Sequence, residues 1–354
     1  MYRIKFKADG SIERFKARVV SKGLNQKEGI YYKETFAPVA KMVSDKALTA
    51  TATHHNWDIE ELDVSNAFLH GDLDEQVYMT VPQGYSSSLP PNSVCKLKKS
   101  LYGLKQANRQ WFIKLTDFLK GIGFHQSYAD TSLFTLTKGS SFTALLIYVD
   151  DILINGSDKA TIQSIKQQLD HTFSIKDLGS FHYYLGIEIL QNSKELIMSQ
   201  RKYALDLLQC ANMLNHKPFT IPLDPIKTLN SIDGIPLDDP SLYRKLVGKL
   251  IYLTITRPDL SFTAQAISQF SHQPRTTHMV ALYKVLRYIK LCPSQGLHFP
   301  KGSPLHLSAY CDSDWAACPI TRRSVSGYAV FLGPCLISWT SKKQSVVSRS
   351  SIEA

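Results

Sequence analysis

Long apolar runs are missing from this sequence of 354 residues. The longest falls far short of the ~20 residues that a membrane-spanning helix needs. The opening residues lack the pattern of a secretory signal peptide. Cysteine is scarce: six residues, at positions 95, 210, 292, 311, 318 and 335, none in a C-x-x-C pair. That spacing excludes a zinc ribbon and a disulfide-stapled secreted scaffold, and it points to a reducing compartment. The eleven histidines fall outside zinc-ligand spacing too, and His54-His55 reads as a solvated loop before a strand. There are no internal repeats and no low-complexity tract. Acidic charge is also in short supply. Thirty Asp and Glu stand against 41 Lys and Arg, giving a net charge of +11 and a pI of about 9.2. Such a surplus favours a polyanionic partner, nucleic acid before a membrane surface. A hydrophobic content of 44% with 20% charged residues suits a globular chain of two or three domains.

Periodicity sketches the elements. Lys16 to Val20 reads as a short amphipathic strand, and Trp57 to Asp63 as a strand ending in a carboxylate. Ser86 to Ser93, with Pro90-Pro91, reads as a loop. Ala107 to Lys120 predicts a helix with Trp111, Leu115, Phe118 and Leu119 on one face, stopped by Gly121 and Gly123. Asp158 to Phe173 predicts another, capped near Ser157 or Asp158. From Lys202 onward the chain turns mainly helical. One helix starts at Asp239-Pro240 with Leu242, Leu246, Leu250 and Leu253 inward and Arg244, Lys245 and Lys249 outward. A second runs from Thr276 to Leu291, with Met279, Leu282, Leu286 and Ile289 inward and Lys284, Arg287 and Lys290 outward. Those basic faces suit either a phosphate backbone or plain solvent. After Pro300-Lys301-Gly302, a strand ending at Asp312 and two more at Gly327–Leu332 and Leu336–Thr340 predict a three-strand meander. Ser345 onward reads as the start of a helix.

Tyr148-Val149-Asp150-Asp151 stands out. Two adjacent acids interrupt an apolar, β-rich run, Ala144 to Val149 before them and Ile152 to Ile154 after. Burying two unpaired carboxylates costs several kcal/mol or more. The expected geometry is a hairpin whose turn presents both acids at the sheet edge, held by a cation. Asp238-Asp239, followed by Pro240, is the internal control: its polar setting reads as a helix cap. Asp63, ending its own strand, is the best partner for Asp150 and Asp151. Carboxylates from two strand ends can hold two divalent cations roughly 4 Å apart, and hard oxygen donors suit magnesium or manganese. On a basic chain this points to phosphoryl transfer on nucleic acid, leaving polymerase and nuclease both open.

An ordered set of segments runs nearly end to end. It comprises Lys16-Ala17-Arg18-Val19-Val20-Ser21-Lys22-Gly23-Leu24-Asn25-Gln26, Glu34-Thr35-Phe36-Ala37-Pro38-Val39-Ala40-Lys41, Leu62-Asp63-Val64-Ser65-Asn66-Ala67-Phe68-Leu69-His70-Gly71, Leu101-Tyr102-Gly103-Leu104-Lys105-Gln106-Ala107, Tyr148-Val149-Asp150-Asp151, Lys176-Asp177-Leu178-Gly179 and Tyr184-Leu185-Gly186-Ile187-Glu188. In this order they resemble the reverse transcriptase of copia-type LTR retrotransposons, a part of a pol polyprotein. The resemblance implies an α+β right-hand polymerase: fingers, a palm with an antiparallel sheet, and a helical thumb, followed by a partial RNase H-like β-meander. Residues 1–190 would form fingers and palm, 191–300 thumb and connection, and 301–354 the RNase H-like segment. Asp63, the Val64 carbonyl, Asp150 and Asp151 would hold two Mg2+ or Mn2+ ions. The partners implied are an RNA or DNA template with primer and deoxynucleoside triphosphates, with no membrane. The compartment implied is a cytoplasmic particle or the nucleus.

Further roles follow from the same resemblance. Phe68 would be the aromatic under the sugar that excludes a 2′-hydroxyl, or else a core Phe beside a turn. Gly103 and Gln106 would line the nucleotide and template pocket, and Gly would let the backbone approach closely. Lys16 and Arg18 would grip the triphosphate, Lys176 would sit near the leaving pyrophosphate, and Tyr184-Leu185-Gly186 would form the primer-grip hairpin. Tyr310-Cys311-Asp312-Ser313-Asp314-Trp315 resembles the start of the RNase H domain, with Asp312 its first acid. The second acid expected after Ser350-Ser351-Ile352-Glu353-Ala354 lies beyond the sequence, so no RNase H activity is expected. Position 46 is Lys where the family more often has Arg. The two functions to separate are an RNA-directed DNA polymerase and a catalytically silent, nucleic-acid-binding remnant.

Overall fold

The computed structural model describes all residues except 1, 8, 83, 86–88, 224–228 and 319, together with the side chains of Arg3 and Lys16. The first part of the expected Ser86–Ser93 loop therefore lies outside the described residues. The chain divides into two compact units, 1–44 with 59–180, and 45–58 with 181–354. Residues 181–190, expected with the palm, thus fall in the second unit, which also holds both 191–300 and 301–354.

In the first unit a two-stranded ribbon of β1 (Tyr2–Phe6) and β2 (Ile12–Ala17) comes first. The strand expected at Lys16–Val20 is displaced toward the N-terminus. Its alternation continues backward through Ile12 and Arg14, whereas Val20 makes only an isolated bridge to Tyr102. Helix α1 (Met42–His55) belongs to the second unit from Asp45 onward. Then follow β3 (Ile59–Val64), a ribbon of β4 (Asp72–Thr80) with β5 (Val94–Lys99), and α2 (Ala107–Gly121). The remainder is β6 (His125–Gln126), β7 (Leu133–Lys138), β8 (Ser141–Tyr148), β9 (Asp151–Gly156), α3 (Lys159–Phe173) and β10 (Ile175–Ser180).

One antiparallel sheet of order β10-β3-β9-β8-β7-β6 organises this unit. Strand side chains alternate between faces, and here the alternation separates packing from chemistry. Leu62, Val64, Leu145, Ile147, Ile152 and Ile154 share one core with Trp111 and Leu115 of α2 and Ile162, Ile165, Leu169 and Phe173 of α3. Glu61, Asp63 and Asp151 occupy the alternate positions. Helix α3 begins as its sequence foretells: the Asp158 carboxylate accepts the Ala160 N–H at 3.1 Å and the Thr161 N–H at 3.2 Å. Lys166, buried on α3, bridges Glu60 and Asp177 and so ties the helix to β3 and β10.

The second unit contains β11 (Tyr183–Tyr184), β12 (Ile187–Gln191), β13 (Glu195–Ser199), α4 (Arg201–Cys210), α5 (Ser241–Leu253), α6 (Ser261–Ser268), α7 (Thr276–Leu291) and β14 (Gly296–Pro300), with β11–β14 forming one sheet. Pro240 holds the N-cap position of α5, and Asp239, expected as a cap, stands one residue ahead of it, its carboxylate accepting the Ser241 N–H at 2.8 Å. Tyr243 rather than Leu242 faces the core, with Leu246, Leu250 and Leu253; Leu242 is exposed. The phase differs because Tyr243 is an amphipathic residue whose hydroxyl finds the Ile267 carbonyl at 2.8 Å. Three of the basic residues expected to face outward are tied to loop carbonyls. Arg244 donates to Ser271 and His272 at 2.7 and 2.9 Å, Arg287 to Lys217 at 2.6 Å, and Lys290 to His216 at 2.5 Å.

The chain closes with the expected meander, β15 (Leu307–Asp314), β16 (Val325–Leu332) and β17 (Cys335–Lys343). The helix expected from Ser345 does not form; 345–354 is irregular. Serine and β-branched valine are weak helix formers, and Val346 and Val347 are exposed, so no buried apolar face supports a helix here.

Candidate active site

The three acids expected to act together converge at one end of the six-stranded sheet. Strands β8 and β9 join through the two-residue turn Val149-Asp150, closed by the Tyr148–Asp151 pair. On its other side β9 pairs with β3, which puts Asp151 directly opposite Asp63. The Val64 N–H donates to the Asp150 carbonyl at 2.8 Å, closing the turn onto β3. Because β9 lies inside the sheet, the acids occupy a strand end and not, as expected, an edge.

The turn is strained. Val149 has φ +60°, a conformation that costs a β-branched residue of order 1–3 kcal/mol. The first central residue of a two-residue hairpin with positive φ there is ordinarily Gly. A hydrogen bond from the buried Trp111 indole to the Val149 carbonyl, 2.7 Å, holds the conformation from α2.

Electrostatics single out the same place. Burial foremost, then Asp150 and Asp63, pushes the Asp151 carboxyl up to about 6. Burial, then Asp151 and Asp63, pushes Glu61 up to about 7. Glu61 is only 7% exposed and stands two residues before Asp63 on the same face of β3. Sequence reading passed over this fourth acid, although the period-two alternation from Asp63 was the signal for it. Oxygen donors with uncompensated negative charge have the chemistry of a hard-cation site. As placed, however, no three His, Cys, Asp or Glu among the described residues are gathered closely enough to ligate an ion.

Beside these acids lies a cavity of about 380 Å3 lined by Asp63, Val64 and Asp150 and by the cations Arg14, Arg18 and Lys176. Lys176 enters it from β10, where it pairs with Asp63 in register. Arg18 sits 4.5 Å over the ring of Tyr102, which also lines the cavity. The Lys16 side chain lies outside the described residues; its backbone is in β2. Phe68 packs against Tyr102, ring centroids 4.9 Å apart, and is partly buried against the core.

Four expected residues, Phe68, Gly103, Gln106 and Asp151, do not line the cavity. Gln106 is fully buried, receiving Gln26 Nε2 on its Oε1 and donating to the Tyr31 carbonyl, each at 2.9 Å. It is a strut between α2 and the 26–31 loop, because a buried amide must satisfy both of its ends. Gly103, at φ +93°, meets Ser21: a Cβ would lie 2.1 Å from the Ser21 oxygen. Its close approach is to protein backbone.

In the second unit, Leu185 and Gly186 form a turn with φ of +49° and +80° between β11 and β12. The Tyr252 hydroxyl donates to the Leu185 carbonyl at 2.5 Å. Asp312 is exposed on β15, its carboxylate accepting the Ser313 N–H at 2.8 Å, beside an open cavity of about 770 Å3 that Lys342 and Lys343 also line.

Comparison with known proteins agrees with this arrangement of segments. The family model described as "Reverse transcriptase (RNA-dependent DNA polymerase)" matches residues 1–225. The retrovirus-related Pol polyproteins from transposons RE1 and RE2 of Arabidopsis thaliana are 47% and 46% identical over 350 residues, 99% of this chain and 24% of each polyprotein. The corresponding polyprotein from transposon TNT 1-94 of Nicotiana tabacum is 37% identical over 364 residues, 100% of this chain and 27% of that protein. The chain spans about a quarter of the length of these relatives. It belongs to the reverse transcriptase (RNA-dependent DNA polymerase) family, in the form found in copia-type transposon Pol polyproteins.

Proposed function

We propose that the chain extends a primer on an RNA or DNA template, with the six-stranded sheet as the palm of a right-hand polymerase. One observation carries this reading. The β3–β9 register sets Asp63 opposite Asp151 with Asp150 in the adjoining strained turn, all beside a cation-lined cavity. Reverse transcriptases use divalent metal ions; here Asp63, Asp150, Asp151 and the Val64 carbonyl would hold them. Bound there, Mg2+ or Mn2+ would acidify the primer hydroxyl and neutralise charge on the reacting phosphate. The chain's own residues do the rest. Arg18 and Lys176 take the triphosphate, Tyr102, backed by Phe68, bounds the space for the sugar, and the Trp111-braced turn fixes Asp150. The primer 3′-hydroxyl gives its proton to water, its oxygen bonds to the α-phosphorus as the bond from that phosphorus to the β-phosphate oxygen breaks, and pyrophosphate leaves.

The test is primer extension by the purified chain on a poly-ribonucleotide template with Mg2+ or Mn2+. Asp150→Asn should abolish extension, and extension that survives it sinks the mechanism. Salt-sensitive primer–template binding without extension by the wild type would instead mean a catalytically silent remnant.

A further inference from the structure

The Tyr102–Gly103 segment and the stretch after β2 are zipped together. Val20 bridges Tyr102, and the Ser21 N–H donates to the Tyr102 carbonyl at 2.8 Å. Two glycines permit the approach: a Cβ on Gly23 would lie 1.9 Å from the Gly103 oxygen, and one on Gly103 would lie 2.1 Å from the Ser21 oxygen. The zip brings the Arg18 guanidinium 4.5 Å over the Tyr102 ring, and the same ring packs on Phe68. Both Arg18 and Tyr102 line the cavity that Asp63 and Asp150 enter. The Tyr102 hydroxyl is raised, first by burial and further by Asp150 and Asp63, with Arg18 opposing.

Resting on the polymerase reading, we infer that Tyr102 is a positioning residue: its ring holds the Arg18 guanidinium in the cavity, ready for the phosphates of an incoming nucleoside triphosphate. A guanidinium is planar, so it can stack on a ring and still present a fork of N–H donors to phosphate oxygens. A long side chain loses rotamer freedom when it grips a ligand; one already laid on a ring loses less, and the saving appears as affinity. Tyr102 is therefore the member of the Leu101–Gln106 loop that serves the nucleotide, while Gln106 braces the loop from behind. Lysine at position 18 would keep the charge but not the stacking.

The test measures equilibrium binding of dTTP to the full chain on a dideoxy-terminated primer–template, so that no chemistry intervenes. Tyr102→Leu should weaken dTTP binding about tenfold, the scale of a partly desolvated cation–ring contact, and Tyr102→Phe should restore it. Arg18→Leu should weaken binding at least as much, and the double variant should bind no worse than Arg18→Leu alone. Losses that multiply, or leucine at 102 binding as well as tyrosine, overturn the inference. If Tyr102→Leu does not fold, Arg18→Lys decides: several-fold weaker binding supports the inference, and unchanged binding overturns it. A wild type that binds no dTTP also overturns it. A wild type that binds dTTP with this coupling but extends no primer sinks only the polymerase reading.

Discussion

The hydrogen bond from Trp111 to Val149 offers a direct test of how the acids are held. Replacing Trp111 by β-(3-benzothienyl)alanine keeps the shape of the ring and removes its N–H. The packing of Trp111 edge-on to Phe173, centroids 5.2 Å apart, is preserved. What is lost is the 2.7 Å bond to the Val149 carbonyl. Leaving such a partly buried acceptor unpaired costs about 1–3 kcal/mol. The Val149 peptide then loses the contact that keeps φ at +60°. A loss of about 2 kcal/mol, with a urea slope of about 2 kcal/mol per M, moves the midpoint down by about 1 M. Hydrogen exchange of residues 145–156 through a urea series reads the first unit by itself. Primer extension should also slow, because relaxation of Val149 re-aims Asp150 and Asp151. An isostere whose midpoint moves by less than about 0.2 M would refute the claim that the indole supports the turn.

Other outcomes follow from the same geometry. Glu61, ordinarily near 4.5, titrates at about 7 in the folded chain, so between those values the folded state binds the extra proton and stability falls as pH rises. In metal-free buffer Glu61→Gln should therefore stabilise the β3–β9 region by about 2 kcal/mol at pH 8 and hardly at all at pH 4.5, read by urea unfolding; equal effects at both pH values would contradict this. Gly103→Ala forces a Cβ onto the Ser21 oxygen at positive φ and should cost about 3 kcal/mol or more in thermal or urea unfolding.

Much of this was legible in the residues. Helices α2, α3 and α7 matched their apolar periodicity because each buries one face against a single core. Asp158 acted as the cap its setting suggested, while Asp239 reaches the first N–H of α5 from one residue ahead of the N-cap. The Asp150-Asp151 hairpin could be read because adjacent carboxylates cannot continue an apolar strand into a core, so the chain must turn where they stand. Other features were hidden, since they depend on partners distant in sequence. Gln106 looked like a pocket residue until Gln26 and Tyr31, some 80 positions away, took both ends of its amide. The basic faces of α5 and α7 looked free until loop carbonyls took up Arg244, Arg287 and Lys290.

The sequence by itself determined the family, the three acids and the alternation that puts Glu61 and Asp63 on one face of β3, because motif order and period-two geometry are local properties of a chain. Only the tertiary structure decided that Asp63 stands opposite Asp151, that Val149 is held at positive φ by Trp111, and that Tyr102 carries Arg18. Those facts rest on strand register and on close backbone approach between segments far apart in sequence. Both are fixed when the sheet and its covering helices pack together.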